Sequence, residues 1–280
     1  MKISVCIPSR AQALGLWATI CGAVNALEDL EYEFIVAVNG RKIDDEETRL
    51  LHDFEGSKVK ILQSDAVLSP TEARNRAAKE ATGDFICFFD DHCIPASGWF
   101  HRVILNDKDV LHSGLTAAPG RQIVFHFVRN DPRTLISGVY MVRPASSRTY
   151  RVLSGPAAGF AVKRSVWEHI GGYGDHFDGF GGEEAFLNIK AQMLGHEVWL
   201  DPEMLYYHFY TISGVRGYER IENRDNWING AYILGGQKWA EGERCGAYTP
   251  PERIQQLRND FAKRIVVPLD EVLKNGPAYP

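Results

Sequence analysis

Apolar and polar positions alternate between two periods over the first hundred residues. Four short runs are almost wholly apolar: Ile3–Pro8, Phe34–Val38, Val59–Leu62 and Phe85–Phe89. Between them lie stretches with helical spacing, around Leu14–Leu27, Asp45–Phe54 and Pro70–Ala81. Strands apolar on both faces, separated by helices, predict a parallel sheet covered on both sides. Ser69-Pro70-Thr71-Glu72 reads as a cap with proline at the first helical position, and Thr82-Gly83 closes that helix.

Beyond residue 95 the pattern loosens. Val110–Val128 predicts one or two strands broken at Pro119-Gly120, and the Arg-, Ser- and Pro-rich stretch 129–154 reads as loop. Gly159–Val162 predicts a strand, Ser165–Ile170 a helix, and Glu183–Leu194 a helix ended by Gly195. Two short strands follow at Val198–Leu200 and Met204–Phe209, then helices over Tyr218–Ala240 and Glu252–Ile265. There is no internal repeat. The expected organisation is one α/β domain over residues 1–212, with 213–280 forming a lid loop and helical extension packed on it.

Composition acts mainly by exclusion. The 280 residues are 45% hydrophobic and 24% charged, with a formal net charge of −5. That balance argues against sequence-blind binding to duplex DNA, which a positive surface meets. No run approaches the roughly 18–20 apolar residues that cross a bilayer, and MKISVCIPSR turns polar too soon for a signal peptide. The cysteines Cys6, Cys21, Cys87, Cys93 and Cys245 are odd in number and form no C-x-x-C pair. Four lie in or beside apolar runs, as buried thiols of a reducing compartment would, so a cytoplasmic location is expected.

The fourth apolar run ends in Phe89-Asp90-Asp91-His92-Cys93. Ligand sites of open α/β sheets lie beyond the carboxyl ends of the strands, where these polar side chains would emerge. Two carboxylates and an imidazole suit a divalent cation, Mn²⁺ more than Mg²⁺ because of the imidazole. The competing reading is a helix cap, but the next helix starts only near Ser97, past Pro95. On the preceding helix, Arg74 and Arg76 do not share a face, and taken alone both read as solvated. Ser154-Gly155-Pro156-Ala157-Ala158-Gly159 allows close approach of a ligand to the backbone, or is a plain turn. Phe177-Asp178-Gly179-Phe180-Gly181-Gly182-Glu183-Glu184 puts two carboxylates at a helix start, where the dipole favours anions. The glycines and aromatics before them cost stability unless the loop fits something. His208, inside Tyr206–Tyr210, reads on its own as a packed core histidine.

These segments together resemble the glycosyltransferases of the GT-A fold. The resemblance is carried by Ala73-Arg74-Asn75-Arg76 through Thr82-Gly83, by FICFFDDHC, by Gly98-Trp99 and by Phe180-Gly181-Gly182-Glu183-Glu184. Within that fold the sequence is most similar to the polypeptide N-acetylgalactosaminyltransferases, over about residues 3–240, and the general family 2 pattern fits nearly as well. The resemblance implies a mostly parallel central sheet flanked by helices, and a Mn²⁺ ion (Mg²⁺ being the alternative) held by Asp90, His92 and His208. It implies that Asp91 shapes the loop and that Arg74 faces the nucleotide. Pro8, Ser9, Arg10 and Asn39 would flank the base and ribose, Gly159 would lie along the donor sugar, and Glu183 would bind sugar hydroxyls. Arg216 and Arg220, on a lid over 211–220, would reach the diphosphate.

Departures from that family are equally specific. Asn39-Gly40 replaces the usual acidic pair, Phe180 replaces Trp, Glu184 replaces Asn, and Thr211 replaces an Arg. A helical tail is expected where the animal enzymes carry a lectin domain. The activity implied is transfer of a sugar from a UDP-sugar to an acceptor hydroxyl. Retention of configuration follows from the overall likeness, whereas Glu184 as general base would mean inversion. The acceptor stays open among glycan, protein, lipid-linked sugar and modified nucleobase. Two rivals are a sugar-1-phosphate nucleotidyltransferase, whose glycine-rich loop Pro8-Ser9-Arg10-Ala11 lacks, and a catalytically silent sugar-nucleotide-binding module.

Overall fold

The computed structural model describes residues 1–10, 13–40, 58–118, 121–124, 126–128, 131–137, 139–141, 146–209 and 223–274. The first half runs β1 (Lys2–Ser9), α1 (Ala13–Leu27), β2 (Glu31–Asn39), β3 (Val59–Ser64), α2 (Pro70–Lys79), β4 (Phe85–Phe88), β5 (Cys93–Pro95) and α3 (Trp99–Asn106). It continues with β6 (Val110–Ala118), β7 (Arg121–Val124), β8 (His126–Val128), β9 (Val139–Met141) and β10 (Tyr150–Arg151). The rest comprises β11 (Phe160–Lys163), α4 (Arg164–Ile170), α5 (Glu183–Met193), β12 (Val198–His208), α6 (Asp225–Gly235), α7 (Gln237–Arg244), α8 (Glu252–Ala262) and α9 (Leu269–Val272).

The main sheet has the order β10-β12-β6-β11-β4-β1-β2-β3, with β5 pairing β12 and β7 pairing β6 at its side. β3, β2, β1 and β4 are parallel neighbours. β11 is antiparallel to both β4 and β6, while β6 and β12 are parallel to each other. Six of the eight strands on this path therefore share one direction, and only β11 and β10 oppose it. The carboxyl ends of β1, β2, β4 and β12 consequently open on one edge of the sheet.

Period-2 alternation sorts the core into two layers. Ile86 and Phe88 face one layer together with side chains of α2, α4, α5 and the C-terminal helices α6 to α9. Phe85, Cys87 and Phe89 face the other, against α1 and α3. Ser69 caps α2 as its sequence predicts: its hydroxyl accepts from Glu72 N at 3.2 Å, with Pro70 in the first turn.

Several elements differ from the sequence pattern. The two strands expected over 198–209 are one, β12, with a register shift between Asp201 and Leu205 where Pro202 interrupts the ladder. The stretch read as loop contains β9 and β10. β5 was not anticipated, and the long helix expected from Tyr218 is two, divided by Gly236 at φ 89°. Three cysteines, Cys6, Cys87 and Cys93, are buried, but Cys21 is half-buried and Cys245 exposed. The helix expected at Asp45–Phe54, the boundary at 212/213 and the lid residues Thr211–Arg220 lie outside the described residues. No helix among the described residues is long and apolar enough to cross a membrane.

Candidate functional site

A cavity of about 340 Å³ opens at the shared carboxyl edge. Pro8, Ser9 and Arg10 after β1, Asn39 ending β2, Arg74 on α2, and Asp90, Asp91 and His92 after β4 all line it. Their convergence follows from the parallel order of β2, β1 and β4. His208 joins from below because β12 runs in the same direction: its Nε2 lies 3.6 Å from Asp90 Oδ2. The His92 and His208 rings meet edge to face, centroids 4.7 Å apart.

Asp90 is held from two sides. Arg74 Nη2 donates to Asp90 Oδ1 at 2.9 Å. Burial alone would raise the Asp90 pKa; the Arg74 charge and the two histidines outweigh it and hold this carboxyl well below the ordinary range. Burial alone would lower the Arg74 pKa; Tyr173, Asp90, Glu183 and Glu184 together raise it. Arg74 Nε and Nη1 are buried with no hydrogen-bond partner among the described residues. The guanidinium therefore contributes fixed positive charge to the cavity wall.

Asp91 does more than shape its loop. One carboxylate oxygen accepts from Ser9 Oγ at 2.9 Å, and the other faces His92 Nδ1 at 3.0 Å. With Nδ1 protonated against that carboxylate, Nε2 carries the lone pair of His92, the arrangement that orients metal-ligating imidazoles. Ser9 therefore acts through Asp91. Asn39 also braces the cavity: its amide nitrogen donates to Leu68 O at 2.8 Å, and its amide oxygen accepts from Leu68 N at 2.6 Å. It holds the Leu68–Pro70 segment as a cavity wall.

The donor atoms fit a divalent cation. Asp90, Cys93 and His208 bring their ligand atoms within 4.8 Å of one another, as Glu28, Asp29 and His101 do on the surface away from the cavity. Cys93 was not foreseen; it arrives because β5 folds back to pair Cys93 with His208. Burial and the nearby Asp90 raise its thiol pKa well above the ordinary value; a cation at Asp90 and His208 would draw that proton off, so the thiol stands beside them as a third donor atom. Asp90 and His208 supply carboxylate and imidazole donors suited to Mn²⁺, whereas His92, expected as the third ligand, is not part of this cluster and stands beside it with its ring against that of His208.

The second cluster flanks the cavity. Asp178, Gly179 and Phe180 line its far wall. This loop is held by Asn226, whose amide bonds the backbone of Asp178 in both directions at 3.0 and 2.9 Å. Gly181 (φ 129°) lies where a Cβ would fall 2.2 Å from the Trp227 ring, so only glycine lets the loop rest there. Glu183 is buried and accepts from Gly181 N at 2.8 Å. Glu183 and Glu184 lie beside the cavity and not in its wall, yet close enough to act on the charge of Arg74. Gly159 is placed apart, in the sheet: its N–H donates to Phe88 O at 2.8 Å, and a Cβ would strike the Tyr206 ring at 2.5 Å. Arg216 and Arg220 lie outside the described residues.

Polypeptide N-acetylgalactosaminyltransferase 5 of Caenorhabditis elegans is 25% identical over 93% of this chain and 44% of its own length. The probable glycosyltransferase YdaM of Bacillus subtilis is 22% identical over 72% of the chain and 49% of its own length. The chain thus spans about half the length of the curated relatives it matches. Among solved structures, GalNAc-T7 with UDP, GalNAc and Mn²⁺ shares the fold at a TM-score of 0.73, with 15% identity over 94% of this chain and 54% of the other. S. aureus TarS in complex with UDP-GlcNAc follows at 0.59, with 15% identity over 94% of this chain and 72% of that one. The profile of glycosyl transferase family 2 matches residues 4–170, more than half of the sequence, and the chain belongs to that family.

Proposed function

We propose that this protein transfers a sugar from a UDP-sugar to an acceptor hydroxyl, with Mn²⁺ held by Asp90, His92 and His208. The observation that carries the reading is the 3.6 Å approach of His208 to Asp90, beside the buried guanidinium of Arg74. A bound divalent cation would supply Lewis-acid stabilisation of the departing diphosphate. Arg74 adds fixed positive charge at the same place, positioned before the reaction starts. Asp91 and Ser9 keep the His92 ring in register. Asp178 to Phe180 close the far wall and limit water at the reacting carbon.

The likeness to the N-acetylgalactosaminyltransferases supports a retaining transfer, with Glu183 and Glu184 positioning sugar hydroxyls. A base at Glu184 would give inversion, and the anomeric configuration of the product decides between them. The test of the whole reading is UDP release from a panel of UDP-sugars, with Mn²⁺ and with excess EDTA. Mn²⁺-dependent release with at least one sugar is expected. Undiminished turnover in EDTA overturns the metal assignment, and release of pyrophosphate from a sugar phosphate and UTP overturns the transferase assignment.

A further inference from the structure

The Tyr173 ring, 6.0 Å from the Arg74 guanidinium carbon, also lines a second cavity, of about 580 Å³. Its walls come from α2, the end of α4, α5 and α8, none of which the transfer reaction uses on this side. Lys190, on α5, projects into it while only 8% exposed. One of the three ammonium hydrogens is taken by Gly172 O at 2.9 Å. His176 is 9% exposed, and neither ring nitrogen has a hydrogen-bond partner among the described residues.

The charges around this cavity are sorted. Its three carboxylates are each engaged by a base outside it: Glu168 by Arg164 at 2.8 Å, Asp175 by Arg253 at 3.0 Å, and Asp260 by Lys263 at 2.8 Å. Its three cations, Lys79, Lys190 and Arg264, have no ion-pair partner among the described residues. Among the described residues Arg264 donates to the carbonyl of His169 alone. Burial, with Arg264 adding to it and Asp175 opposing it, pushes the Lys190 ammonium down to about 7. A buried amine so placed gives up its proton readily, and an anion entering the cavity beside it would hold it in the charged form. Trp167, Phe186 and Phe261 give the same cavity an apolar side.

We propose that this second cavity binds a phosphate-bearing small molecule, with Lys190 and Arg264 as its charged anchors and His176 as a neutral hydrogen-bonding group. Lys79 stands at the mouth, where its charge favours entry of an anion. The occupant touches the Gly172–Tyr173 turn, which Asn75 fixes to α2 through bonds of 3.0 and 3.1 Å to the Tyr173 backbone. The site is independent of the proposed transfer, so its test needs no turnover.

Inorganic phosphate and phenyl phosphate are titrated by calorimetry into the intact protein without sugar nucleotide. Parallel titrations use Arg264→Ala, exposed and safe to change, and Lys190→Met, which keeps the volume. Saturable binding of phosphate is expected, weakened about tenfold or more by each substitution, as for loss of a charge-assisted hydrogen bond. Tighter binding of phenyl phosphate identifies an ester whose body uses the aromatic wall; equal binding identifies free phosphate. Should Lys190→Met fail to fold, the Arg264→Ala and Lys79→Ala titrations decide. Absence of binding at tens of millimolar, or affinity unchanged by these substitutions, overturns the proposal.

Discussion

Arg74 and Asp90 form an ion pair at 2.9 Å in which the guanidinium is 4% exposed and the carboxylate 25%. The pair joins α2 to the carboxyl end of β4, and so fixes the carboxylate that His208 approaches. A charge this buried is stable only while its partner stays.

Arg74→Ala is therefore expected to act twice. It leaves Asp90 without its counter-charge, at about 1–3 kcal/mol of stability, and removes positive charge from the cavity wall. The transfer rate should fall about 10²–10³-fold, as when a preorganised donor is lost. Arg74→Lys should recover part of the stability and little of the rate, because an ammonium cannot reproduce the planar fork. Urea unfolding of Arg74→Ala with and without Asp90→Asn checks the first part. The double variant should lose less than the sum of the singles.

Asp91 offers a different test, since it reaches the cation only through His92. Asp91→Ala should weaken Mn²⁺ binding about 10–100-fold while leaving all three ligands present, the usual cost of removing the group that orients a ligating imidazole. Asp91→Asn, which can still accept from His92, should lie between. Mn²⁺ titration followed by electron paramagnetic resonance reads this directly. Equal affinity in all three proteins would remove Asp91 from the site.

Much of this arrangement was legible in the sequence for one reason: parallel strands bring successive strand ends to one edge. That rule alone gathers Pro8–Arg10, Asn39 and Asp90–His92 at one cavity, and Ser69-Pro70 announces the helix that carries Arg74. The residues it missed depend on long-range register or on side-chain commitments that periodicity does not record. Cys93 meets His208 because three residues, β5, pair back across 115 positions of sequence. Asn39 lines the cavity as expected, but its pairing with both backbone atoms of Leu68 depends on a contact 29 residues away that periodicity does not record. Asn226 and Trp227, which seat the Phe180–Gly182 loop, lie more than 40 residues downstream in a helix whose spacing shows only a packing face.

Glu33 provides a pH-dependent prediction away from the site. Its side chain is 20% exposed and bridges β2 to the start of β1 and to Thr82. Burial alone would raise its pKa, but hydrogen bonds from Ser4, Thr82 and Lys2 prevail and bring it down to about 2. A carboxyl lowered on folding adds stability that is full above its unfolded pKa and fades as pH falls through the folded one. Glu33→Gln should cost about 1–2 kcal/mol at neutral pH, after allowance for solvent screening. The gap to the parent protein should narrow steadily as pH falls from about 4.5 toward 2. Denaturant melts across that range test it, and a gap independent of pH would assign the effect to packing instead.

Glu183 and Glu184 stand side by side at the start of α5 but are used differently. Glu183 is 4% exposed and closes the Gly181-Gly182 turn by accepting from Gly181 N, so its position is structural before any substrate arrives. Glu184 is less buried, and its field is felt at Arg74 and Tyr173. Glu183→Gln retains an oxygen for Gly181 N and should chiefly raise the KM for the donor, because the turn survives while charge next to the sugar is lost. Glu184→Gln separates the two stereochemical readings. If Glu184 takes the acceptor proton, kcat should fall about 10²–10⁴-fold with KM little changed, and the product should be inverted. If the transfer is retaining, kcat should fall far less and the product should keep the donor's configuration. Proton NMR of the anomeric position, recorded together with the kinetics, makes the two outcomes exclusive. An inverted product from a Glu184→Gln enzyme of near-normal kcat would mean that another group accepts the proton, and Asp178, exposed and lining the cavity, is the carboxylate to replace next.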